Sequence, residues 1–222
     1  MIPHPIRRAI LELAQLLWLL NSLVNFALTC AYYRLLGLLQ SETAYTQDLR
    51  IPKHIALSFT NESSCLDLDS VADLLCWCRQ LSINQITLYD DSGRLRDSRR
   101  ELLKQVGCKS RTMGCDKQAD EPDGLRIICR ADGRHKFLED IRYLVRYKPE
   151  DIDLERVNNQ VGWPSDPDLL ISFGSPVCMY GFPPWQLRLT EILSIPTHRK
   201  LPRTIFLDCL RRYSRTSQRE GA

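Results

Sequence analysis

From Pro52 onward, short apolar runs alternate with segments of helical period, and this alternation restricts the fold more than any other feature of the chain. The runs are "HIALSF" (54–59), "QITLYD" (85–90), "LRIICR" (125–130), "DLLISF" (168–173) and "LTEILSI" (189–195). Each has the length of a strand, and the 168–173 run reads as a buried one. Between them, "DLDSVADLLCWCRQL" (67–81) sets Leu68, Val71, Ala72, Leu75 and Cys78 at helical spacing, with Asp67 and Asp69 favouring its N-terminal end. "SRRELLKQVG" (98–107) reads as a helix closed by Gly107, and residues 134–148 and 150–161 as two more. "RTIFLDCLRRYSR" (203–215) carries Ile205, Phe206, Cys209, Leu210 and Tyr213 on one face. "DSGR" after Tyr89-Asp90 reads as a turn and residues 108–124 as a loop without periodicity. Strands alternating with helices predict an α/β domain, a mostly parallel sheet flanked by helices, with any site just beyond residues 59, 90, 130 and 173.

Ahead of this domain, "LAQLLWLLNSLVNFALTCAYY" (Leu13–Tyr33) has no charged residue over a length sufficient to cross a bilayer core. Gln15, Asn21 and Asn25 interrupt it, so three forms are open: a membrane-spanning helix, an interfacial helix and a buried soluble one. Basic residues on both sides leave its orientation undefined. The organisation expected is an anchoring segment at 1–40, a linker at 41–51 and the α/β domain at 52–222.

Charge and cysteine usage exclude several functions. A formal net charge of +3 over 222 residues argues against a nucleic-acid partner. The nine cysteines form no C-x-x-C pair and the four histidines are scattered, so no metal-ligating residues are assigned and a reducing compartment is expected. The predicted rim is equally bare. "TNESS" follows the first strand without glycine or aspartate, "GSPVCMYGFPPW" follows the fourth without a charge, and there is no G-x-S-x-G. Glu62 and Asp90-Asp91 are the only acids there, and such residues usually cap turns or face solvent.

Two stretches carry a family resemblance. "PKHIALSFTNES" (52–63) resembles the first strand of the cis-prenyltransferases, where Pro-x-His-Ile/Val-Ala precedes Met-Asp-Gly-Asn. "DPDLLISFGSPVCMYGFPPWQLRLTEIL" (166–193) resembles their second signature, without a gap from Asp168 to Glu191. The likeness covers roughly residues 50–222. It places the family's catalytic aspartate, which handles the magnesium diphosphate, on Thr60. The two arginines that bind isopentenyl diphosphate fall on Ser172 and Cys178, and a serine falls on Tyr180. Without those charges a diphosphate is not offset, so the resemblance implies a chain inactive by itself.

Such losses mark the non-catalytic subunits of eukaryotic dehydrodolichyl diphosphate synthase, the Nogo-B receptor type. This branch is similar in its membrane-embedded N-terminus and in a C-terminal Arg-x-Gly, here Arg219-Glu220-Gly221. The resemblance implies that Arg219 and Gly221 cross into a partner's active site, as catalytic and substrate-binding residues, to hold isopentenyl diphosphate while it condenses with farnesyl diphosphate. The partner is a catalytic cis-prenyltransferase subunit, which brings the aspartate and most of the Mg²⁺ coordination. The implied place is the endoplasmic-reticulum membrane with the domain in the cytosol, where the Asn61-Glu62-Ser63 sequon is silent. Trp185, Arg188 and Glu191 are expected at the subunit interface. Arg188 pairs there across the contact, while Glu191 is open between an interface hydrogen bond and a metal-linked role. His54 reads as a satisfied structural histidine, and Arg211, Arg212 and Arg215 as a solvated helix face. The competing reading is a membrane-anchored adaptor or receptor that keeps the fold for protein or lipid binding only.

Overall fold

The computed structural model describes residues 4–39, 49–59, 66–112, 124–147, 152–161, 165–174, 179 and 181–216. Its strands are β1 (His54–Phe59), β2 (Gln85–Asp90), β3 (Leu125–Cys129), β4 (Leu169–Phe173) and β5 (Glu191–Ile195). All pair in parallel, in the order β3-β2-β1-β4-β5. The central strand β1 sets Leu57 opposite Leu88 on one side and Ile171 on the other. Parallel strands need covered crossovers, and the helices supply them: α2 (Leu68–Gln80), α3 (Arg94–Asp97), α4 (Arg99–Thr112), α5 (Arg134–Tyr147), α6 (Leu154–Val161) and α7 (Arg203–Arg215).

The alternation of side chains along the strands divides the core. Ile55, Leu57, Phe59, Leu88, Leu169 and Ile171 point to one face and pack with α2, α4 and α7 into the larger cluster, where Leu74, Leu75, Phe206 and Leu210 have no exposed surface. Burial of each such side chain stabilises the fold by about 1.5–3 kcal/mol. The opposite face is smaller and holds Ala56, Tyr89, Ile128, Leu170 and Phe182. The expected strands and the helices beginning at 68, 134 and 203 are present.

Three boundaries differ from expectation. α4 runs through Gly107 to Thr112. A helical glycine costs only about 1 kcal/mol, and the last turn is held by Lys109, whose Nζ lies 2.8 Å from Asp69 and 2.6 Å from Asp73 of α2. The turn at 91–94 continues into α3, because Asp90 accepts from Ser92 N and Oγ and from Leu95 N. α6 starts at Leu154, its first turn capped by Asp153 Oδ1, which accepts from Arg156 N at 2.7 Å.

The N-terminal segment is a helix, α1 (His4–Leu39). Leu13, Leu16, Leu17, Trp18, Leu20 and Leu28 are each exposed over half or more of their surface, and α1 approaches α7. Among the described residues no helix is long and apolar enough to cross a membrane. Several positions of the 13–33 run lie outside the described side chains. Residues 40–48, most of the expected linker, are also outside. Its end is not a free linker: Ile51 packs on the larger cluster and Arg50 N donates to Ser214 Oγ at 3.0 Å.

One residue, Asp168, ties the N-terminal ends of three strands through its carboxylate and its main chain. Asp168 Oδ2 accepts from Lys53 N and His54 N, at 2.7 and 3.0 Å. The Asp168 main chain donates to His54 O and accepts from Glu191 N. Replacing Asp168 by Ala leaves two strand-end N–H groups unpaired and is expected to destabilise the domain by about 2 kcal/mol. The measurement is the urea midpoint, shifted down with an unchanged slope.

Candidate functional site

The C-terminal strand ends form the rim on which the chemistry of such a sheet is normally placed. Here Phe59 and Phe173 stack at 5.2 Å between ring centres, with His198 edge-on to both. On the other face of the same strand ends, Ser58, Ser172 and Ser194 stand side by side in register on β1, β4 and β5. Ser58 and Ser172 are buried, and their hydroxyls have no hydrogen-bond partner among the described residues. Ser172 thus puts a small neutral group where the resemblance expects a phosphate-binding arginine. Thr60, Cys178 and Tyr180, the other three substituted positions, lie outside the described residues, as does Glu62.

The acids of the rim are engaged in structure. Both Asp90 oxygens accept from Ser92 Oγ, at 2.9 and 2.8 Å, and Asp91 lies 3.9 Å from Arg130 Nε. Asp132 pairs with Arg96 and accepts from Cys129 N. No group of three or more His, Cys, Asp or Glu is arranged for a metal ion among the described residues. These carboxylates do not fit a magnesium diphosphate, because their lone pairs already serve backbone and arginine donors.

Beneath the rim, His198 fixes the approach to α7. Its Nε2 accepts from Asp67 N at 3.1 Å, so the ring is neutral with its proton on Nδ1. Asp67 is the N-cap of α2, accepting from Asp69 N and Ser70 Oγ. Ser70 Oγ in turn accepts from Lys200 N at 2.9 Å. Burial lowers the His198 pKa to about 4. The sequence shows only an isolated histidine here, since its hydrogen-bond partner Asp67 is 131 positions away.

Close approach shapes the loop above Tyr89. A Cβ on Gly133 would lie 2.4 Å from Gly181 O, and Gly181 has φ +88°, so neither position accepts a side chain without displacement. This lets Phe182 rest on Tyr89 at 5.4 Å.

The expected interface residues lie toward the opposite end of the sheet. Trp185 Nε1 donates to Asn158 Oδ1 at 3.0 Å and its ring stacks on Phe137 at 5.2 Å. The Arg188 guanidinium sits 5.7 Å from the Trp185 ring. Within the chain, Arg188 Nε and Nη2 both donate to Asp166 Oδ2, at 3.0 and 2.9 Å. Asp166 is only two residues from the Asp168 tie, and this proximity captures the guanidinium within the chain. Glu191 begins β5, the sheet edge, next to the exposed Leu189 and Ile192. Trp185 and Arg188 are therefore brought together, and Glu191 is held at the edge through Asp168. Arg219 and Gly221 lie outside the described residues. Arg211, Arg212 and Arg215 are exposed, as a solvated face requires.

Two clefts also lie at the N-terminal strand ends, away from the rim. One of about 550 Å³ is lined by Lys53, His54, Asn84, Gln85 and Asp168, and one of about 320 Å³ by Asn158, Trp185 and Arg188, with Ser165 and Asp166 shared. The polar groups between them are largely satisfied. His54 Nδ1 donates to Ser165 O at 3.0 Å and Nε2 accepts from Thr87 Oγ1 at 2.9 Å, which makes His54 a structural histidine. Burial lowers its pKa as well.

Both histidines charge more readily in the unfolded chain, so stability is complete above the ordinary value of 6.5 and is lost as pH falls toward about 4. For His198 the loss is up to about 3 kcal/mol. Urea unfolding at pH 7.5 and pH 5 is expected to show this slope. His198→Asn, whose Oδ1 can accept from Asp67 N, should remove much of it.

No protein-family model matches the chain. It is 28% identical over 198 residues to the dehydrodolichyl diphosphate synthase complex subunit Nus1 of Mus musculus, covering 78% of this chain and 66% of the relative. It is 29% identical over 201 residues to the Homo sapiens subunit, covering 78% and 67%. The chain thus spans about two thirds of the length of these relatives. Among solved structures, a probable undecaprenyl diphosphate synthase from Campylobacter jejuni superposes with a TM-score of 0.55 at 14% identity, over 77% of this chain and 99% of that one. The parallel sheet, its flanking helices and these likenesses agree: the chain is similar to the dehydrodolichyl diphosphate synthase complex subunits and has the undecaprenyl diphosphate synthase fold.

Proposed function

We propose that this chain is the non-catalytic subunit of a heteromeric cis-prenyltransferase. The complex condenses isopentenyl diphosphate onto farnesyl diphosphate and makes the polyprenyl diphosphate precursor of dolichol for protein glycosylation. The observation that carries this reading is Ser172. A buried, uncharged hydroxyl on the rim, beside Ser58 and Ser194, offers nothing to offset a diphosphate. The rim carboxylates support it, being committed to capping and arginine contacts. The catalytic aspartate and the magnesium ion therefore belong to the partner subunit.

What this chain adds is its C-terminal Arg219-Glu220-Gly221. A guanidinium makes charge-assisted, two-pronged hydrogen bonds to phosphate oxygens, and glycine lets a backbone N–H approach them. In the partner's site, Arg219 holds the isopentenyl diphosphate so that its double bond faces the allylic carbon. As diphosphate leaves that carbon, the new C–C bond forms and a proton is then lost. The cation beside the phosphate lowers the energy of the charge that develops. Trp185, Arg188, Leu189 and the β5 edge at Glu191 form the surface that meets the partner. α1, with its exposed leucines and Trp18, attaches the assembly to the endoplasmic-reticulum membrane, where the apolar product can partition.

The test is prenyl transfer from labelled isopentenyl diphosphate to farnesyl diphosphate with Mg²⁺. Four preparations are compared: this chain alone, a catalytic subunit alone, the pair, and the pair carrying Arg219→Ala. Only the intact pair should be fully active, with Arg219→Ala reducing its kcat/KM about 10²–10³-fold, the size seen when one transition-state charge contact is removed. An undiminished Arg219→Ala pair would instead make this chain an adaptor that uses the fold for binding alone.

A further inference from the structure

We propose that Arg50 is a positioning residue that sets the root of the C-terminal tail, and so couples the N-terminal segment to the partner's active site. The proposal rests on the assignment of Arg219 to that site.

α7 descends from the rim to the opposite end of the sheet. It starts beside Lys200, which is tied to Ser70 at the head of α2, and its last turn lies beside Arg50, just ahead of β1. Two contacts converge on that last turn. Arg50 N donates to Ser214 Oγ at 3.0 Å. The Arg50 guanidinium lies over the Tyr213 ring, 5.1 Å from its centre. Tyr213 is itself only 2% exposed, so the platform is held by the core. Burial raises the Tyr213 pKa, and the Arg50 charge opposes it.

Geometry makes this joint consequential. α7 ends at Arg215 with Thr216 as its cap, and Arg219 follows Thr216 by three positions. Such a segment reaches about 10 Å at most. A guanidinium on so short a tether inherits any displacement of its root, and a misplacement of about 1 Å can cost 10²-fold in rate. Arg50 lies just ahead of β1, and α1 itself approaches α7. The entry to the sheet and the last turn of α7 therefore meet at one joint. A planar guanidinium stacks on the tyrosine face as a compact ammonium does not, so lysine is an incomplete substitute.

The experiment uses the full chain paired with a catalytic cis-prenyltransferase subunit. Arg50→Ala, Arg50→Lys and Tyr213→Phe are each made alone, and Arg50→Ala is also combined with Arg219→Ala. Steady-state kinetics in isopentenyl diphosphate, subunit affinity and the thermal midpoint are measured. Arg50→Ala should lower kcat about tenfold with pairing affinity unchanged. Arg50→Lys and Tyr213→Phe should lose less, and Arg50→Ala should have no further effect once Arg219 is alanine. That non-additivity identifies action through the tail. Full activity of Arg50→Ala beside a crippled Arg219→Ala would overturn the joint and leave the tail assignment standing. Additive losses, or a loss matched by weaker pairing, would also overturn it. An undiminished Arg219→Ala pair would remove the tail assignment, and the joint with it.

Discussion

The carboxylate of Asp168 organises the end of the sheet from which everything else is measured. Its Oδ2 holds Lys53 N and His54 N, and its main chain bonds His54 and Glu191. Three strands thus share one starting line, and a slip of one residue in any of them would turn its apolar side chains to the wrong face. Asp168 Oδ2 is satisfied by two backbone N–H donors.

At the other end, the acids of the rim, Asp90, Asp91 and Asp132, are held by Ser92, Arg130 and Arg96. Phe59, Phe173 and His198 pack on one face of the strand ends, and Ser58 and Ser172 stand on the other, their hydroxyls without a partner among the described residues. The loop above Tyr89, drawn in by Gly133 and Gly181, and the His198–Asp67–Ser70–Lys200 chain both hold segments that lead away from the rim. Structural order at one end of α7 and the Arg50 joint at the other fix the helix from which the tail departs.

The strand runs were legible because each is a short, mainly apolar run of strand length between helical segments, and β1, β2 and β4 match their expected spans within a residue. α7 was legible to the residue, since Pro202 precedes it and five apolar residues mark its face. The end of α4 was not: Gly107 reads as a stop, and only Lys109 reaching two aspartates of α2 shows why the helix continues. Arg188 was legible as an ion-pairing residue but its partner was not, because Asp166 is 22 positions away in sequence. His198, Arg50 and Tyr213 carried no local signal, because their roles consist entirely of contacts across the fold.

The sequence by itself determined the parallel α/β class, the uncharged N-terminal run and the absence of arginine or aspartate at Thr60, Ser172 and Cys178. These are properties of residue type and spacing, which survive in an unfolded chain. The tertiary structure alone decided that Asp168 ties three strands, that Arg188 is captured by Asp166, and that Arg50 meets Tyr213. Each of these depends on distances between residues far apart in sequence, and only the closing of the sheet and the packing of α7 on it set those distances.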